Sequence, residues 1–118
     1  MKENDNTLGN IYVSYRAIAT VAYQSALQSY GVVGLTPKNF AEGLTQALVK
    51  DPALGVEVHH DGNAIQIDLF IMVEYGTRIK SVADSVKDNV GYQVEKVFGL
   101  PVNQVTVHVR SLRVSNLD

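Results

Sequence analysis

The sequence predicts an α+β domain, a mostly antiparallel sheet of roughly four to five strands with helices packed on one face. Three observations carry that expectation. Ile65, Ile67, Leu69, Ile71 and Val73 alternate with other residues over one uninterrupted run, the period of a strand with a buried face. Ile79, Val82, Ala83, Val86, Val90, Val94 and Val97 recur at the three-and-four spacing of one helical face. Between the alternating runs before and after it, Asp61-Gly62-Asn63 is a hairpin-turn signal.

In chain order, residues 1–8 read as a polar tail, residues 9–114 as one domain and residues 115–118 as a second short tail. Gly9 to Val13 reads as a first strand, with Ile11 and Val13 on one side and Tyr12 on the other. A helix follows from Tyr15 to Tyr30. Ser14 is its expected N-cap, because a serine oxygen accepts from the first unpaired backbone N–H groups, and Ile18, Val21, Ala22 and Ala26 form its inward stripe. Gly31 to Leu35 is a short extended piece. Thr36-Pro37 then suits the cap and first turn of a second helix carrying Phe40, Ala41, Leu44, Ala47 and Leu48 as its apolar stripe. Asp51-Pro52 is expected to end it, since the residue before a proline is pushed out of the helical region.

Val56 to His60 and Ala64 to Glu74 form the hairpin strands, with the isoleucine row facing the helices and Gln66, Asp68, Phe70 and Met72 on the opposite face. Thr77 is placed to cap the long helix, and Gly99 with Leu100-Pro101 to stop it. The last strand turns Val105, Val107 and Val109 inward and Thr106, His108 and Arg110 outward. Its apolar residues then change parity to Leu112 and Val114, which predicts a bulge near Arg110-Ser111.

Composition excludes several function classes. The 118 residues contain no cysteine, so thiolate metal sites, thiol nucleophiles and disulfides are ruled out and a cytoplasmic setting is favoured. Net charge is −2, from 10 basic and 12 acidic residues, which supplies no bulk attraction to nucleic acid or to anionic lipid. No nucleic-acid partner is expected. The start, MKENDNTL, lacks the apolar stretch of a signal peptide. Ala17 to Pro37 carries no formal charge over about the length of a bilayer span, yet Gln24, Ser25, Gln28 and Ser29 interrupt it and Gly31 and Gly34 break it, so direct membrane insertion is not expected either.

The chain offers little recognisable chemistry. No nucleophile elbow, phosphate loop or dinucleotide fingerprint is present. His59-His60-Asp61 is the most metal-like cluster, but adjacent strand residues point to opposite faces, and His108 is the remaining histidine. Three histidines so placed are not expected to converge, so no metal, cofactor or catalytic residue is assigned. If the strands pair, Asp68, His108 and Arg110 become neighbours in a surface salt-bridge network.

Two surfaces are candidates for protein contact. The helix from Tyr15 to Tyr30 shows Gln, Ser, Thr and Tyr where a solvated helix normally shows Lys and Glu, and Tyr23, Gln24 and Gln28 are its candidate contact residues, since charge is depleted and tyrosine enriched at interface centres. Phe70 and Met72, with Tyr12, are the candidates on the open sheet face, as an exposed apolar patch.

Gly9-Asn-Ile-Tyr-Val-Ser, Ile18-Ala19, Gly31-Val32, Gly55-Val56 with its hairpin, Val73-Glu74-Tyr75-Gly76, Gly99-Leu100-Pro101-Val102 and Val105-Thr-Val-His108-Val resemble, in order and spacing, the alkaline shock protein family of envelope stress response proteins. The resemblance covers Gly9 to Leu112 and points to the compact branch, because the chain stops shortly afterwards. It implies a non-catalytic cytoplasmic protein of Gram-positive-type bacteria in cell-envelope or alkaline stress homeostasis, held at the membrane by a separate anchor protein. It also implies a link to lipid metabolism through a fatty-acid kinase of the dihydroxyacetone-kinase type. Where family first helices often bear glutamates, this chain has Gln24-Ser25 and Gln28-Ser29. The expected function is therefore interaction, through self-association as a homo-oligomer and a protein partner, either a membrane anchor protein or a kinase. The alternatives are a regulatory accessory of a fatty-acid kinase and, from a different class, a small metal-dependent enzyme using His59, His60 and His108.

Overall fold

The computed structural model describes residues 14–37, 51–60 and 64–113; the expected first strand and the expected second helix beyond Pro37 lie outside them. The described elements run α1 (Tyr15–Leu27), β1 (Val32–Leu35), α2 (Pro52–Gly55), β2 (Val56–His60), β3 (Ile65–Glu74), α3 (Ile79–Phe98) and β4 (Val102–Arg113). Ser14 caps α1 as expected, its Oγ accepting from the backbone N–H of Arg16 at 3.1 Å and of Ala17 at 3.2 Å. Asp51-Pro52 does not simply end a helix. Pro52 opens the one-turn α2, a position where proline's missing N–H costs nothing.

β3 is the axis of the sheet. β1 pairs antiparallel with its second half (Leu35 with Ile71) and β2 antiparallel with its first half (Val56 with Leu69, His60 with Ile65). β4 runs parallel along β3 over its whole length, from Val102 beside Ile65 to Arg113 beside Glu74. Among the described strands two of the three pairings are antiparallel, and the parallel one follows from α3, a crossover helix that returns the chain to the end where β3 began. The expected bulge is present: Ile71 pairs with Val109 and Met72 with Ser111, leaving Arg110 as the extra residue, so that Leu112 again pairs with Val73.

The row Ile65, Ile67, Leu69, Ile71 and Val73 is buried to within 1% and meets Ile18, Ala19, Ala22 and Ala26 of α1 and Val82, Val86, Val90 and Val94 of α3 in one core. The stripe of α3 narrows at both ends, where Ile79 and Val97 are exposed. Thr77 does not cap α3; its hydroxyl donates back to the Glu74 carbonyl at 2.7 Å, and the N-cap position is Arg78. Gly99 adopts the left-handed conformation (φ 72°) that ends the helix, with its N–H donating to the Glu95 carbonyl. The Glu95 carboxylate then accepts from Val102 N–H at 2.9 Å, tying the end of α3 to the start of β4.

Candidate functional site

The helix layer and the bare sheet face present different chemistry. α1 has two packed sides, one on the sheet and one on α3, and this explains much of its missing charge. Ser25 and Ser29, expected among its outer residues, are buried; the Ser29 hydroxyl donates to the Ser25 carbonyl at 3.1 Å and accepts from the Asn89 side-chain amide of α3 at 2.9 Å. Asn–Ser contacts of this kind satisfy buried polar groups without the desolvation cost of a charge. Arg16, at the exposed start of the helix, pairs with Asp51 at 3.2 Å.

What remains outward on α1 forms one wall of a shallow groove. Thr20, Val21, Gln24 and Gln28, with the buried Ser25 between them, face Gln93 and Val97 of α3 across it, so its lining carries no formal charge. Gln24 and Gln28 are exposed there, whereas Tyr23 is half-buried and packs against the core. Val97, 55% exposed, supplies apolar surface that the periodicity of α3 had assigned to the interior. Gln93 and Val97 were missed because their partnership with α1 depends on how the two helices lie side by side. Tyr30, Tyr75 and Tyr92 are further exposed aromatics.

The open-patch expectation for Phe70 and Met72 is overturned: they are 4% and 3% exposed. The β4 register sets His108 beside Phe70, and their rings stack at 4.7 Å between centroids while the Arg110 guanidinium lies 5.1 Å over the same ring. Long polar side chains thus roof the aromatic and remove it from contact.

On the same face the strands collect a polar cluster. Register sets Glu57 directly opposite Asp68, with His59 one step along β2 on the same side. His59 Nε2 lies 3.5 Å from Glu57 Oε1 and 3.6 Å from Asp68 Oδ2. His108, arriving from β4, hydrogen-bonds the other Asp68 oxygen, with Nε2 to Oδ1 at 3.2 Å. Contrary to the expectation that the histidines do not converge, His59 and His108 meet at one carboxylate, because each lies one strand away from Asp68 on opposite sides. His60 takes no part, since its neighbour in register is the core residue Ile65. Arg110, expected beside Asp68, sits over Phe70 instead. Glu57 joins the cluster because the β2–β3 register, with His60 opposite Ile65, sets it across from Asp68.

The sequence model of the alkaline shock protein 23 family, described by a cell envelope-related function, matches residues 3–114. The chain belongs to this family. Relatives of this alkaline shock family member include the Bacillus subtilis (strain 168) protein YloU, 42% identical over 92% of each chain. Another is the Streptococcus pyogenes serotype M6 protein Spy1614, 32% identical over 90% of this chain and 89% of the other. Among solved structures, MamM-CTD 215-293 superposes with a TM-score of 0.52 at 14% identity, covering 83% of this chain and 99% of that one. A manganese form of a MamM CTD variant gives 0.51 at 14% identity over 83% and 99%. At such identity the likeness concerns the fold alone. No helix among the described residues is long and apolar enough to cross a membrane.

Proposed function

We propose that this protein is a non-catalytic interaction component of cell-envelope homeostasis, working at the cytoplasmic side of the membrane by self-association and by binding a protein partner. The observation that supports it is the charge-free groove between α1 and α3, with Gln24 and Gln28 on one wall and Gln93 and the exposed Val97 on the other. An uncharged, partly apolar strip on an otherwise charged surface has the composition of an interface centre. The family's cell envelope-related function supplies the setting, and a membrane anchor protein is the partner class that would bring a chain without a membrane-crossing helix among its described residues to the envelope.

The test is the double variant Gln24→Glu with Gln28→Glu. Both side chains are exposed, so folding is expected to persist, while two carboxylates enter any contact made there. Sedimentation over a concentration series should show self-association weakened at least about tenfold, as like charges brought together at an interface cost several kcal/mol. A folded variant that associates like the wild type refutes the assignment of this groove.

A further inference from the structure

We propose that the outward face of the sheet holds a divalent transition-metal ion of the zinc class, bound by Glu57 Oε1, His59 Nε2 and Asp68 Oδ2, with His108 supporting Asp68 from outside the coordination sphere. These three ligand atoms lie within 4.8 Å of one another, on two adjacent strands whose register is set by a continuous ladder from Val56 with Leu69 to His60 with Ile65.

The spacing of the atoms suits a bound metal ion as well as a salt-bridge cluster. His59 Nε2 stands 3.5 Å from one carboxylate oxygen and 3.6 Å from the other. Hydrogen bonds from an imidazole to a carboxylate are shorter, about 2.7–3.2 Å. Zinc bonds nitrogen and oxygen ligands at about 2.0–2.2 Å in a tetrahedron, whose edges are then about 3.3–3.6 Å. The His59 separations match that edge. The Asp68–His108 contact, at 3.2 Å, is by contrast a hydrogen bond.

Charge points the same way. Glu57 and Asp68 face each other directly across an antiparallel pair, where like charges repel and a bound cation is favoured. A divalent ion neutralises both at once. His108 completes the arrangement that ligating carboxylates usually have: its Nε2–H donates to Asp68 Oδ1, leaving Oδ2 to face the ion. Phe70, stacked on the His108 ring, holds that ring in place. Side-chain exposure of 27% at Asp68, 35% at Glu57 and 55% at His59 leaves the fourth coordination position open to water, so the ion exchanges with solvent rather than being locked in.

Titration of the full chain with zinc ion alone in a calorimeter, and with cobalt(II) alone in an absorption spectrometer, tests the site. One ion per chain is expected, with the intense visible bands of four-coordinate cobalt. His59→Ala and Asp68→Asn should abolish both signals. His108→Ala should weaken binding by about 10–100-fold, the usual cost of losing an outer-shell partner. His60→Ala, on the opposite face of the same strand, should leave binding unchanged. Circular dichroism confirms that each variant is folded, and Glu57→Gln, which keeps the side chain's shape, provides a second loss-of-binding arm. Absence of stoichiometric binding, binding indifferent to Asp68→Asn, or equal losses in His60→Ala and His59→Ala would overturn the proposal. The site and the α1–α3 groove lie on opposite sides of the sheet, so failure of one leaves the other standing.

Discussion

The two faces of β3 were built from one alternating sequence and ended up with opposite properties. On one face Ile65, Ile67, Leu69, Ile71 and Val73 are sealed under two helices. On the other, Gln66 and Asp68 stay half-exposed while Phe70 and Met72 are buried with no helix of the described residues above them. Burial on the helix-covered face is a property of the row, whereas burial on the other face belongs to each residue and its neighbours. Phe70 is covered because β4 delivers His108 and Arg110 to it; Asp68 is left partly open because its neighbours, Glu57, His59 and His108, are themselves half in water.

The covered face is packed most tightly where α3 meets the turn after α1. Gly31, at the end of α1, has φ 89°, and a Cβ there would stand 2.6 Å from Val82 Cγ2 of α3. Gly31→Ala combines a left-handed backbone with overpacking of the helix layer and should destabilise the fold by about 3 kcal/mol in chemical denaturation. A loss below about 1 kcal/mol would mean that the layer yields and the covered face is not close-packed.

Phe70→Ala is the corresponding change on the bare face. A roofed aromatic should cost about 2 kcal/mol, less than the 3–5 typical of a full core position, because among the described residues its cover is the side chains of His108 and Arg110. An exposed patch would cost almost nothing, and that outcome would restore the open-face picture.

Within the helix layer, Val90→Ala should cost about 1–2 kcal/mol and Lys87→Ala under about 0.5, since Val90 is fully buried and Lys87 exposed. The reverse order would place the wrong side of α3 on the sheet. Ser14→Ala should cost about 1 kcal/mol by removing the acceptor of two backbone N–H groups at the start of α1.

The smallest expected effect is at the polar cluster. Without metal, His108→Ala should lower stability by under about 1 kcal/mol, because its partner carboxylate is 27% exposed and the pair is screened by water. A loss of several kcal/mol would show that the roof over Phe70, rather than the hydrogen bond to Asp68, is what His108 maintains.

By itself the sequence determined α1, β2, β3, α3 and β4, the inward rows, the Ser14 cap, the Gly99 stop and the bulge at Arg110. Each depends on signals local in the chain: a period of two or 3.6, a serine before a helix, a glycine able to take positive φ, a switch of parity. The alkaline shock family was legible too, from short motifs kept in order. Tertiary structure alone decided that β4 lies parallel to β3 with His108 beside Phe70, that Ser25 is buried and Ser29 meets Asn89 of α3, and that Thr77 turns back to Glu74 rather than capping α3. It also decided that His59 and His108 reach Asp68 from opposite sides. Those outcomes join residues as far apart as Ser29 and Asn89, and no local period encodes which two distant segments become neighbours. That choice is made when strands pair and helices dock, where burial of the whole core outweighs the preference of any single side chain.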